Sequence, residues 1–391
     1  MSEIEEYNDV QNEAYTNFIN SVDSEATRTN YRRVFPYFMK FCKREAYEQM
    51  LNIEIPKLEG LIRDYIIHLK QNKKLAPGSI SMYVSGIRHF YQMNDVVLNW
   101  DKIKKFKGRF RNVVEDKPYT REQIKALVDG AASLRDKCII LLMASAGLRR
   151  GALSYLRIRD IQKIDKYQLY KIAVYKNEQE YYAAFCTPEC ANYIDQYLDW
   201  RQRLGEKLHE STPLLRKSFD TVTEVNRPKP ISHYIISTMI TSLLDKTGVR
   251  VANQVYQRTE LMQCHGFRKF FKTTCINAGM NPLYSEYVMG HRSGLTKSYF
   301  KPSDIELLEG NDKALGYTAV INDLTINEEY RLRKKVDELT KKKGEIETLE
   351  IRHNREIKAM RDQMSQIMSM IQHNPKLAHV KPEALITKIT E

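Results

Sequence analysis

HGFRKFFKTTCINAGMNPLYSEYVMGHRSGLTKSYF, residues 265–300, is the stretch from which the rest of the chain can be read. His265 and Arg268 stand three residues apart, so on a helix both side chains share one face. Gly279 and Gly290 are placed as stops for helices covering residues 264–289, because a helix C-terminus favours the left-handed backbone that glycine adopts without a Cβ penalty. Tyr299 comes eight residues after His291, with Thr296 placed to cap a short helix that carries it.

Two upstream segments belong with this stretch. AGLRRGAL, residues 146–153, sets Arg149 at a glycine turn where a helix begins. YQLYKIAVYKNEQEYYAAFC, residues 167–186, is rich in β-branched and aromatic residues and broken at 176–179, the pattern of a hairpin. Singly, each group has an ordinary reading: Arg149 as a surface arginine, His265 and Arg268 as a chance pair, Tyr299 as half-buried packing. Their order along the chain carries more.

An arginine, a hairpin lysine, His-x-x-Arg, Gly-His and a tyrosine, in that order, resemble the tyrosine recombinase (phage integrase) family. GLRRGAL is similar to the family's first arginine box, HGFRKFFKTTCINAGM to its second, and VMGHRSGLTKSYF to its histidine and tyrosine box. The resemblance covers about residues 15–318, and the wording GHR…SYFKP looks closest to integrases of archaea and their viruses or plasmids. It implies a mainly α fold with a small β-hairpin or sheet in the catalytic domain, preceded by a helical core-binding domain. It also implies breakage and rejoining of double-stranded DNA by four protomers, with no metal, ATP or other cofactor. The catalytic set it carries over is Arg149, Lys176, His265, Arg268, His291 and Tyr299, with Lys171 as a competitor for the hairpin lysine. Ala152 stands where many members carry an acid, and the short His291–Tyr299 gap keeps Tyr317 as an alternative nucleophile.

The chemistry of this set stands apart from the name. Cleaving DNA without a metal requires cations and donors aimed at a phosphorane that carries extra negative charge. Two guanidiniums, Arg149 and Arg268, offer planar forks that cannot lose their protons. His265 is the candidate to bond the phosphate or take the phenolic proton, and His291 to donate to the phosphate and position Tyr299. Lys176 would protonate the leaving 5′-oxygen. A phenol has a pKa of about 10, so Tyr299 becomes a nucleophile only beside cations that ease its deprotonation.

Composition agrees with a polyanionic partner: 62 Lys and Arg against 49 Asp and Glu give a net charge of +13 over 391 residues. With 42% apolar residues the chain can bury sizeable cores, which excludes wholesale disorder. The longest apolar run, Cys138 to Leu148, is about half of what a bilayer requires, and the acidic N-terminus lacks a signal-peptide pattern. Six scattered cysteines fit reduced thiols in a cytoplasmic protein.

The expected organisation is an N-terminal segment (1–20), a helical core-binding domain (21–112), a linker (113–117) and a catalytic domain (118–318). A coiled-coil helix (325–373) and a tail (374–391) follow. Pro36 should kink or restart its helix. The run Lys102, Lys104, Lys105, Lys107, Arg109 and Arg111 reads as a basic linker or as a strap along a phosphate backbone, the two domains then forming a C-shaped clamp. In the tail, Leu332, Val336, Leu339, Ile346 and Leu349 begin an apolar stripe that Ile357, Met360, Met364, Ile367 and Ile371 continue. It suits a self-association helix, or one packed back on its own catalytic domain. Competing functions are a type IB topoisomerase-like enzyme and a DNA-binding or architectural protein on the same fold without catalysis.

Overall fold

The computed structural model describes residues 13–108, 117–250, 263–291 and 300–373. The chain divides between residues 113 and 114 into two compact units.

The N-terminal unit is a bundle of α1 (Glu13–Asn20), α2 (Glu25–Phe41), α3 (Tyr47–Leu51), α4 (Ile55–Gln71), α5 (Pro77–Met93) and α6 (Trp100–Lys104). Its core is made by apolar residues at helical spacing: Val34, Phe35 and Phe38 on α2, Ile62, Tyr65, Ile66 and Leu69 on α4, and Ile80, Val84, Ile87 and Phe90 on α5. Phe35 and Phe90 meet with ring centroids 4.2 Å apart. α2 and α5 approach closely at Gly86, where a Cβ would come 2.9 Å from Val34.

Two expectations are corrected here and a third is narrowed. α1 buries Ala14, Tyr15, Phe18 and Ile19 in the same core, so the bundle includes Glu13–Asn20 rather than starting at residue 21. α2 runs on through Pro36 without restarting, Pro36 lying on the exposed face where the carbonyl it leaves unbonded can meet water. The basic run is not a linker as far as Lys107: Asn99 caps α6 by accepting from the Lys102 amide at 3.0 Å, and buried Ile103 anchors it to the bundle.

The second unit is built on α8 (Leu134–Ser145), buried at every position from Cys138 to Ser145. The longest apolar run is thus a central core helix. Around it pack α7 (Arg121–Gly130), α10 (Pro188–Arg203) and α12 (Gln263–Asn277). Thr120 and Gln123 form the capping box of α7, and Thr187 caps α10 ahead of Pro188. α9 (Arg150–Tyr155), α11 (His233–Lys246) and α13 (Pro282–Val288) complete the helical layer.

The expected hairpin is β2 (Leu169–Val174) with β3 (Tyr182–Phe185), antiparallel, Ile172 opposite Ala184. A preceding strand, β1 (Ile161–Ile164), extends it to three. With two exposed positions in four residues, β1 gives little pattern to read. Mainly helical with a small sheet is the observed class.

After α14 (Asp304–Glu309) come the short strands β4 (Gly310–Asn311) and β5 (Ala314–Leu315), then α15 (Ile321–Leu324). Val320, Ile321, Leu324 and Ile326 are core residues, so this unit extends past the expected boundary at 318. The buried Glu189 carboxylate accepts from the amides of Ile326 (2.7 Å) and Asn327 (3.0 Å), fixing where the final helix α16 (Glu328–His373) leaves the core. Along α16, Leu332, Val336, Leu339, Ile346, Leu349, Met360 and Met364 are exposed. At these positions, among the described residues, the stripe does not pack back on its own unit.

Candidate active site

The chain leaves α8 through Gly147, which has φ +61°, and a Cβ there would strike Phe271 at 2.7 Å. Only glycine fits both the left-handed backbone and the ring. The turn buries Leu148 and places half-buried Arg149 as the N-cap residue of α9.

From the facing side, α12 buries Phe267, Phe270 and Phe271, and this carries Arg268 into the interior at 5% exposure. Its guanidinium donates to the Gly147 carbonyl, to the Met289 carbonyl at 3.3 Å and to His291 Nε2 at 2.6 Å. The Gly147 bond brings the two arginine boxes together. Burial, helped by the nearby Arg149 charge, lowers the Arg268 pKa to about 10, so it stays cationic at neutral pH.

Gly290, with φ +69°, turns the chain after α13 and presents His291. A guanidinium can only donate, so Nε2 accepts from Arg268 and the ring proton lies on Nδ1, which donates to Glu286 at 2.6 Å. Burial pushes the His291 pKa below its usual value. The Glu286 hydrogen bond opposes this, and the Arg268 and Arg149 charges add to it. In this arrangement Nε2 is an acceptor, bonded to Arg268.

Glu286 also accepts from Lys272 at 2.6 Å. Burial acts to raise its carboxyl pKa, but the Lys272 and His291 bonds outweigh it and hold the group ionised. Neither Glu286 nor Lys272 was singled out from the sequence. The available signals were Lys272 four residues after Arg268, one turn along α12, and Glu286 five before His291.

A third group missing from the sequence reading is Tyr182 at the start of β3, 1% exposed. Its ring lies against Gly290, where a Cβ would be 2.5 Å away, and meets Tyr175 edge-on at 6.3 Å. The guanidiniums of Arg268 and Arg149 act on its hydroxyl, which has no hydrogen-bond partner of normal geometry among the described residues.

The other expected residues divide. His265 is exposed on the first turn of α12. Lys176 is exposed in the β2–β3 turn, bordering the same open groove as Lys171 and Arg159. Lys171 is tied to Asp304, which leaves Lys176 the freer ammonium. Tyr299 lies outside the described residues. Tyr317 is fully buried, stacked on Phe271, and donates to the Ser145 carbonyl at 2.7 Å, so it cannot reach a DNA phosphate.

In the N-terminal unit, Lys102, Lys104 and Lys105 are exposed, while Lys107 is half-buried and donates to Ser81 at 3.2 Å. Burial and the neighbouring charges of Lys104 and Arg88 lower the Lys107 pKa. Lys70 lies beside Gly108, its Nζ 3.6 Å from the position of a Cβ there. Folding thus gathers Lys70 and Arg88 around the basic run. Arg109 and Arg111 lie outside the described residues.

Residues 118–304 match the phage integrase family. The integrase of the transposon Tn1549, solved in complex with transposon right end DNA, aligns at a TM-score of 0.51 with 15% identity, covering 75% of this chain and 95% of that one. XerA recombinase aligns at 0.35 with 21% identity over 75% and 95% of the two chains. A lambda integrase dimer bound to a core site aligns at 0.46 with 14% identity over 73% and 94%. No curated protein matches the chain in sequence.

Proposed function

We propose that this chain, whose residues 118–304 match the phage integrase family, is a site-specific tyrosine recombinase that breaks and rejoins double-stranded DNA. The observation that carries the reading is the hydrogen bond from Arg268 to the Gly147 carbonyl, which locks two arginine boxes 119 residues apart in sequence around one centre. Two permanent cations converging beside a neutral histidine suit a phosphoryl transfer centre. The Tn1549 integrase, alike in fold, was captured on DNA, and a +13 chain suits a polyanion.

In this reading the Tyr299 oxygen attacks the scissile phosphorus, the bond to the 5′-oxygen breaks, and a 3′-phosphotyrosyl link forms. Arg149 and Arg268 hold the non-bridging oxygens, whose charge grows towards the transition state. When Arg268 turns to the phosphate it releases His291 Nε2, an acceptor already oriented by Glu286, and that nitrogen takes the phenolic proton. His265 reaches the phosphate from the first turn of α12, and Lys176 gives the 5′-oxygen its proton. A second 5′-hydroxyl then attacks the phosphotyrosyl bond, which needs neither water nor ATP.

The exposed stripe of α16 is a self-association helix, and four copies assemble for strand exchange. Lys102, Lys104, Lys105, Lys107, Arg109 and Arg111 track the backbone of the duplex. The enzyme belongs with integrases of archaeal mobile elements and works in the cytoplasm. Trapping on a nicked suicide duplex tests the reading, since Tyr299→Phe should abolish the adduct. Relaxation of supercoiled DNA without paired sites would instead mark a topoisomerase.

A further inference from the structure

A buried hydroxyl whose own proton has no acceptor is destabilising, so one retained beside two guanidiniums, where its oxygen can only accept, calls for an explanation. Tyr182 is such a group. Its ring is fixed on three sides of the centre: by Tyr175, by Gly290 next to His291, and by Arg149 and Arg268, whose charges act on its oxygen. Gly290 serves this placement directly, because any side chain there would overlap the ring. The structure therefore holds a phenol at the convergence of both arginine boxes and gives its O–H nothing to bond among the described residues.

We propose that the Tyr182 hydroxyl is a third donor of the anion pocket, bonding a non-bridging oxygen of the phosphate held by Arg149 and Arg268. It does not act as a nucleophile. Its ring is enclosed on β3, and burial raises its pKa to about 12 even against the two cations, so it keeps its proton at neutral pH and can donate. A neutral donor adds a directed hydrogen bond to a site whose cations already supply charge. This rests on the recombinase reading for the identity of the phosphate, though the pocket itself does not.

Tyr182→Phe removes the oxygen alone. On the suicide duplex, adduct formation at saturating protein should fall about 10- to 100-fold, the range of one hydrogen bond to a charged group. DNA affinity should hold, and the melting temperature should hold, because the O–H that is removed donates to nothing among the described residues. A duplex with a methylphosphonate in place of the contacted oxygen should make wild type and variant equal. A second arm uses orthovanadate alone, followed by thermal shift: wild type should be stabilised, and Tyr182→Phe should need a higher concentration for the same shift. Unchanged adduct formation and unchanged vanadate response would overturn the proposal, as would a lower melting temperature that alone accounts for slower cleavage. If wild type forms no adduct but the vanadate response depends on Tyr182, the recombinase reading fails and the anion pocket stands. If wild type forms the adduct and Tyr182→Phe matches it in both arms, only the Tyr182 role fails.

Discussion

Arg268→Ala removes the side chain that joins the two halves of the centre. Arg268 is 5% exposed and donates to the Gly147 carbonyl, the Met289 carbonyl and His291. Losing one preorganised donor to a developing oxyanion costs about 2.7–4 kcal/mol, which at about 1.36 kcal/mol per decade is roughly 100- to 1000-fold in rate. A guanidinium that also orients His291 should reach at least the upper end. Ground-state binding draws on phosphate contacts along the whole duplex, so the dissociation constant should change by less than about tenfold. The fold loses a buried cation and strands two carbonyls, a destabilisation of roughly 1–3 kcal/mol, so the assay is run well below the measured melting temperature. Arg268→Lys keeps the charge but not the planar fork and should recover little. The assay is single-turnover adduct formation on a nicked suicide duplex at saturating protein. A rate within about threefold of wild type for the Ala variant would refute the reasoning.

Further outcomes follow from the same geometry. Cleavage needs neutral His291, so it should fail as pH drops through that residue's depressed pKa; Glu286→Gln removes the carboxylate that raises this pKa and should move the acid limb of the rate profile to lower pH, whereas an upward shift would contradict the assignment. Replacing Lys104, Lys105 and Lys107 by Gln should weaken binding of any duplex and flatten its salt dependence by about 0.9 per lost phosphate contact, and an unchanged slope would leave the segment a structural helix. Truncation after Asn327, beyond the amides that Glu189 holds, should spare cleavage but lower the oligomer mass in solution and impair paired-site recombination. Light scattering that shows a monomer with and without α16 would remove its role.

The legible parts of this fold were those written in local pattern. The hairpin within 167–186 and the glycine stops at 279 and 290 depend on neighbours a few residues away. Whether Pro36 restarts its helix depends on which face meets solvent, something set by tertiary packing. The basic run misled because its charge hid one anchoring residue, Ile103. In the site, the arginines and His291 were visible through motif order, but their mutual contact was not: the Arg268–Gly147 bond spans 121 residues. Glu286, Lys272 and Tyr182 were missed for the same reason, each being an ordinary residue until folding brings it to the centre. Tyr317 could be dismissed only once its burial and its bond to Ser145 were seen.

The central claim is tested most directly by the mass of the peptide that carries the DNA. Wild-type protein, trapped on a nicked suicide duplex and digested with trypsin and nuclease, should yield one peptide containing Tyr299 with a nucleotide joined through its 3′-phosphate. Tyr299→Phe should yield none while still shifting the duplex on a gel. A phosphotyrosyl link at any other residue, or DNA nicked by the Phe variant at the wild-type rate, would contradict the account.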